Sequence, residues 1–134
     1  RGRRWVASGP ALLNLDVGLL MWDMRRNLDP RPLPSRRVVI QVQYPELPEN
    51  RRQWWLIVEP KEPVDLCSVD PGFDVDLYVT TDLRTMTETW MGLGSVAKAR
   101  AEDRLQLIGD RKLEEAMQAW LGLSPFAAVE KKAS

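Results

Sequence analysis

Between Arg37 and Asp82 the apolar residues of this chain come in short alternating runs broken by proline and glycine; from Leu83 onward their spacing changes to three and four. That switch of period constrains the fold more than any other feature. Alternation suits strands with one buried face, and the longer spacing suits helices. "RVVIQVQYP" reads as a first strand, with Val38, Ile40, Val42 and Tyr44 on one face and Val39, Gln41 and Gln43 on the other. "PELPENR" reads as a turn, "RQWWLIVEP" as a second strand, "VDLCSVD" as a third and "DVDLYVTTD" as a fourth. Strands so close in sequence predict an antiparallel meander.

Helices flank these runs. Ser8, Gly9 and Pro10 make a good helix start, and Asp29-Pro30 a stop, so the first helix is expected from Pro10 to Leu28. It carries two apolar stripes. One comprises Leu13, Val17, Leu20, Met21, Met24 and Leu28; the other comprises Leu12, Leu15, Leu19 and Trp22. A surface helix needs only one. The second stripe therefore predicts either contact with another chain or a missing domain, or a helix lying deep in its own fold. After Thr81-Asp82, a capping pair, Leu83, Met86 and Trp90 share a face. Gly92 and Gly94 in "ETWMGLGS" end that helix, and Ser95 caps a short successor. "RLQLIGD" reads as a fifth strand, and Asp110 caps a last helix whose stripe is Leu113, Ala116, Met117, Trp120 and Leu121. The expected class is α+β: a five-stranded, mainly antiparallel sheet covered by helices, with a leading N-terminal helix. Residues 1–9 read as a linker remnant, 10–126 as one domain and 127–134 as a flexible tail. The chain does not start with Met, so a fragment of a longer protein is expected.

Composition removes several chemistries. The chain has no histidine and a single cysteine, Cys67. This excludes Ser-His-Asp and Cys-His catalysis, His-ligated zinc, multi-cysteine metal sites and an internal disulfide. A lone cysteine fits a reducing, cytoplasmic compartment. Net charge is zero, although the first sixty residues lean basic and the remainder acidic. That balance argues against a nucleic-acid surface spread over the domain. No apolar run reaches membrane-spanning length. Asp70, Asp74 and Asp76 cluster in "DPGFDVD", but without calcium-loop spacing; turn formation and solvated strand ends account for them. "GLGS" lacks a full phosphate-loop fingerprint and reads as a helix cap. No metal, cofactor or catalytic group is expected.

Six Trp and five Met are many for 134 residues. Trp54 and Trp55 are consecutive on a strand, so one faces each side of the sheet. Met suits surfaces that fit variable apolar shapes, and Trp supplies a large wall. Such stripes are more often plain core than the lining of an apolar cavity.

"DVDLYVTTDLRTMTETWMGLGSVAKARAEDRLQLIGDRKLEEAMQAWLGL" resembles the sterol carrier protein type 2 superfamily. Shared features are the strand "DLYVTT", the helix opening at Asp82, the Gly-containing break, the short strand "RLQLIGD" and the final amphipathic helix, with Gly109-Asp110 the most recognisable point. "LLMWDMRRNLDPRPLPSRRVVIQVQY" and "WLGLSPFA" also look like the C-terminal region of bacterial HxlR-type winged-helix transcriptional regulators. Where family members often carry glycine before the fifth strand, this chain has Glu102-Asp103-Arg104.

The resemblance implies a sheet covered by helices, with an apolar tunnel between them that holds lipids in sterol carrier proteins. In a regulator that tunnel would sense an effector. The expected pocket is bordered by Met86, Trp90, Met117, Trp120 and Leu121, with Trp54 or Trp55 from the sheet and Tyr78 as a polar handle. The expected contact with a second copy, making a homodimer, is Leu12, Leu15, Leu19 and Trp22. DNA would be reached only through a domain absent from this chain. The competing expectation is a structural or dimerisation module with a filled core.

Overall fold

The computed structural model describes residues 16–122. Helix α1 spans Val17–Asn27. Strand β1 (Val38–Gln43) follows, then a single-turn helix α2 (Glu49–Arg52), β2 (Gln53–Val58), β3 (Asp65–Cys67) and β4 (Leu77–Thr81). Helices α3 (Leu83–Trp90) and α4 (Val96–Ala101), strand β5 (Leu105–Gly109) and helices α5 (Arg111–Glu115) and α6 (Met117–Leu121) complete the order. The α+β class and five strands stand as the sequence predicts, and so do the faces assigned to β1.

The sheet order is β3-β2-β1-β4-β5. Three neighbouring pairs are antiparallel, but β1 and β4 are parallel, with Ile40 opposite Leu77. The predicted four-strand meander therefore stops at β3. From Cys67 the chain crosses back and adds β4 on the far side of β1. Asp76 fixes this crossing: its N–H donates to the Val39 carbonyl (2.8 Å) and its carboxylate accepts the Val39 N–H (2.8 Å). Its carbonyl accepts the Asp110 N–H at 2.9 Å. Asp76 is thus a structural tie among β1, β4 and α5, not the solvated strand end expected from sequence. Asp70 does form a turn, accepting the Gly72 N–H at 2.8 Å.

Gly109 lies beside this tie with φ 141°, and a Cβ there would collide with the Asp76 carbonyl. The prominence of "GD" in the sequence has this physical cause. Glycine allows the backbone approach, and Asp110 caps α5 by accepting the Lys112 and Leu113 N–H groups.

Two helices differ from expectation. The first does not run through Asp16, which is extended and caps α1 by accepting the Gly18 N–H at 2.7 Å. Aspartate there satisfies an amide that continuing helix would otherwise bond. The expected start at Ser8–Pro10 lies outside the described residues, and the helix ends where Asp29-Pro30 predicts. The last helix divides at Ala116 into α5 and α6. There the Trp120 indole donates to the Leu113 carbonyl at 2.9 Å, a side chain entering the backbone ladder. The Asp29 N–H bonds the Trp120 carbonyl, tying the ends of α1 and α6 together.

The main core lies between the helices and one sheet face. That face carries Val38, Ile40, Val42, Leu56, Val58, Leu77, Val79, Leu105 and Leu107. A smaller cluster of Val39, Trp55 and Ile57 lies on the other face, joined by Cys67 and Val75 from the end of β3 and the crossover.

Candidate functional site

"ETWMGLGS" does two things. Its glycines terminate α3: the Leu93 N–H reaches the Glu88 carbonyl (2.9 Å) and the Gly92 N–H the Thr89 carbonyl (3.3 Å), with Gly92 at φ 83°. This is the left-handed cap glycine favours. Its large residues enter the core, Trp90 fully and Met91 partly. α4 ends in the same pattern, the Arg104 N–H on Ala99 and the Asp103 N–H on Arg100. Asp103 there takes φ 60°. An aspartate fills a position glycine usually occupies, so the turn at Glu102-Asp103-Arg104 forms without glycine.

α3 is deeper than one stripe requires. Besides Leu83, Met86 and Trp90, it buries Thr85, Thr87 and Thr89. Threonine is tolerated there because its hydroxyl finds local acceptors: Thr87 donates to the Leu83 carbonyl (2.8 Å), and Thr85 to Asp82. The helix start is held twice. Asp82 accepts the Thr85 N–H at 3.0 Å, and Glu46 accepts the Leu83 N–H at 2.8 Å. Beyond the glycines, the Val96 N–H donates to Gln118 on α6 at 2.8 Å. These contacts anchor Trp90 relative to both β1 and α6.

Of the residues expected to line a pocket, Met86, Trp90, Met117, Trp120 and Leu121 belong to one buried cluster, and Trp54 packs against it from β2. Trp55 and Tyr78 do not join them. Register puts Trp55 opposite Gln41, and Gln41 opposite Tyr78, on the other sheet face. Tyr78 is 40% exposed there and cannot be the polar handle of this layer. Alternation decides this: both occupy odd positions relative to the buried Leu56 and Leu77.

Sequence reasoning missed three partners. Met21 and Met24 from α1 enter the same cluster, which thus holds four fully buried methionines with Met86 and Met117. Tyr44 lies there too, its hydroxyl donating to the Met21 sulfur at 3.2 Å. Burial, reinforced by Glu46 and Asp82, pushes its phenol well above the usual tyrosine range. The β1 alternation already named Tyr44, but its sequence carried no sign of a sulfur partner on another element.

The indoles divide sharply. Trp54 donates to the Arg51 carbonyl (2.8 Å) and Trp120 to the Leu113 carbonyl (2.9 Å). Among the described residues the Trp90 Nε1–H is buried without an acceptor. Buried indole N–H groups usually find a partner.

An opening of about 400 Å³ lies at the edge of the cluster, lined by Pro32, Leu33, Pro34, Arg36, Asp110, Lys112 and Leu113. Two of its lining residues, Leu33 and Leu113, also belong to the main core. Arg36 bridges Asp76 (3.2 Å) and Asp110 (3.7 Å) at the rim. In the sequence this stretch, "DPRPLPSRR", reads as a Pro-rich connector with no mark of an opening.

Among the described residues no group of His, Cys, Asp or Glu is arranged to hold a metal ion. Cys67 is half-buried, and its thiol is pushed up by burial and then by Asp65, which disfavours the nucleophilic thiolate. No described helix is long and apolar enough to cross a membrane.

On α1, Leu19 is 62% and Trp22 49% exposed. Within one chain these two residues are not buried, and Arg25 stacks over the Trp22 ring at 4.7 Å. Leu12 and Leu15 lie outside the described residues.

A mixed five-stranded sheet with helices over a Met- and Trp-rich apolar layer defines a class of α+β domain, and comparison gives that class a name. The sterol carrier protein domain family matches residues 24–128, and the chain belongs to that family. No curated protein matches the sequence. Among solved structures, a double mutant of the sec-alkyl sulfatase PisA1 is similar at TM-score 0.62 and 15% identity, over 82% of this chain and 17% of that one. Sterol carrier protein 2 from Yarrowia lipolytica, in its apo form, gives TM-score 0.52 and 14% identity over 81% of this chain and 94% of its own. Sterol carrier protein 2 like 2 from Aedes aegypti gives 0.53 and 20% over 76% and 93%. The chain therefore matches nearly all of the small carrier proteins but only a minor part of the sulfatase. At these identities the likeness is one of fold.

Proposed function

We propose that this domain binds an apolar small molecule or lipid, without catalysis, in the layer between the sheet and the helices. One observation carries the reading. Met21, Met24, Met86 and Met117 converge with Trp90 and Trp120 in a single buried cluster. Thioethers adapt to variable apolar shapes, and the indoles supply rigid walls. Membership of the sterol carrier protein domain family and the likeness to proteins named as sterol carriers support it. The opening at Pro32–Pro34 is the proposed entry, since Leu33 and Leu113 line it and also belong to the core. Saturable binding of a fluorescent fatty acid, displaced by apolar competitors, tests the reading.

A second reading is a module with a filled core. It is favoured by the complete burial of Met21, Met86 and Met117 within the chain itself. Absence of saturable binding by any apolar probe would select it.

The finer proposal is an effector-sensing role in a cytoplasmic transcriptional regulator, with DNA held by another domain. The HxlR-type resemblance and the lack of a net positive charge support it. The chain alone then shows no sequence-specific shift of DNA at physiological salt, and specific micromolar binding would refute that. Dimerisation through Leu19 and Trp22 belongs to the same proposal. A large apolar side chain stabilises by about 1.5–3 kcal/mol on burial, so Leu19→Glu should shift sedimentation from dimer to monomer. A wild type that is already monomeric at tens of micromolar refutes the interface.

A further inference from the structure

The Trp90 N–H is the one buried side-chain polar atom found without a hydrogen-bond partner among the described residues. Its residue is only 5% exposed. Three features make the missing partner informative. Other indoles in and beside the same cluster, Trp54 and Trp120, each donate to a backbone carbonyl. The end of α3 is fixed by its glycine cap, by Glu46 and Asp82 at its start and by Gln118 just beyond, so Trp90 is held by contacts on both sides. Lastly, no group among the described residues accepts from this N–H, although buried threonines lie on the same helix, so an acceptor must come from elsewhere.

We infer that Trp90 is the polar contact for the bound molecule, and that this molecule carries a neutral oxygen acceptor, a ketone, ester or alcohol, on a largely hydrocarbon body. The inference rests on the apolar layer being the binding site. A neutral acceptor follows from the chemistry of the donor. One uncharged N–H cannot offset the desolvation of a carboxylate, and a buried ion needs a charged or multiple partner. A resource of that kind, the Arg36 and Lys112 rim, stands at the opening, outside the apolar cluster. A carboxylate would stay there. A carbonyl or hydroxyl loses less by burial and supplies the acceptor the indole lacks. Tyr78, expected to supply this contact, is on the other sheet face.

The experiment compares 2-tridecanone, tridecane and dodecanoate as competitors of a fluorescent apolar probe, on the full chain and on Trp90→Phe. The indole N–H resonances are recorded alongside, that of Trp90 being the one missing from the variant. Expected is about three- to tenfold tighter binding of the ketone than of the alkane, the difference one net hydrogen bond makes. That preference disappears in Trp90→Phe, while the alkane still binds. The Trp90 N–H signal moves downfield with the ketone and not with the alkane. Equal affinity for ketone and alkane in the wild type, with that signal unmoved, overturns the inference and leaves the binding site standing. A preference that survives in Trp90→Phe also overturns it, as does dodecanoate binding tightest through Trp90. Failure of all three to compete or bind overturns the site itself.

Discussion

Replacing Gly109 with alanine tests the tie that closes the sheet. Gly109 stands at the end of β5, opposite Leu77, with φ 141°. An added Cβ would overlap the Asp76 carbonyl and come within 3.0 Å of the Leu77 Cα. Both are backbone atoms, so no flexible side chain can swing away. Asp76 cannot retreat cheaply either, because its N–H, carbonyl and carboxylate are all engaged, on Val39 and Asp110. A strained backbone conformation costs about 1–3 kcal/mol by itself. Losing or stretching the hydrogen bond to Asp110 adds about 0.5–1.5 kcal/mol. A total loss of about 2–4 kcal/mol is expected, lowering the melting temperature by roughly 5–15 °C for a chain of this size. Urea unfolding of the full chain and of Gly109→Ala measures it. A loss under about 1 kcal/mol would show that the β5 end relaxes freely and that the Asp76 tie is not what fixes this edge.

Other outcomes follow from single contacts. Trp120→Phe and Trp90→Phe remove similar volume, but only Trp120 strands a backbone carbonyl, so Trp120→Phe should be the more destabilising by about 1–3 kcal/mol in urea titrations. Equal losses would refute the assigned partners. Tyr44 is neutral when folded and its phenol is raised, while the unfolded phenol ionises near pH 10. The unfolded state therefore sheds a proton first. Stability is full below about pH 10 and falls above it, with a slope approaching ~1.4 kcal/mol per pH unit that Tyr44→Phe should lack. Alkaline unfolding curves of the two proteins check this. Asp103→Gly relieves a left-handed backbone at φ 60° and should raise the melting temperature, by up to about 1 kcal/mol of stability; a decrease would mean that the aspartate side chain holds the turn.

The sheet faces were legible in the sequence because alternation fixes them; Val38, Ile40, Val42 and Tyr44 all point into the main core. Connectivity was not. Nothing local in "DLCSVDPGFDVDL" distinguishes a hairpin from a crossing, since the decision is made by Asp76 bonding Val39, far back in the chain. The helix faces that brought Met86, Trp90, Met117 and Trp120 together were legible for the same periodic reason. Of the expected Trp54 or Trp55 the register selects Trp54, and Tyr78 lies with Trp55 on the other face, as the alternation rule separates both from Leu56 and Leu77. Met21 and Met24 were read as one helix stripe, but the sequence does not say which layer a stripe meets. The break at Ala116 and the lone indole of Trp90 depend on where individual N–H groups find acceptors, and periodicity carries no trace of that.

An apolar molecule that enters the layer between the sheet and the helices must touch the methionines buried there. Methyl resonances of the five methionines and of Ile108, which lies opposite Tyr78 on the other sheet face, are followed through a titration with 2-tridecanone. Binding there predicts saturable shifts at Met21, Met24, Met86 and Met117, with Ile108 on the opposite face unchanged. Methionine signals that stay fixed at ligand saturation, or shifts confined to the Ile108 face, would contradict it.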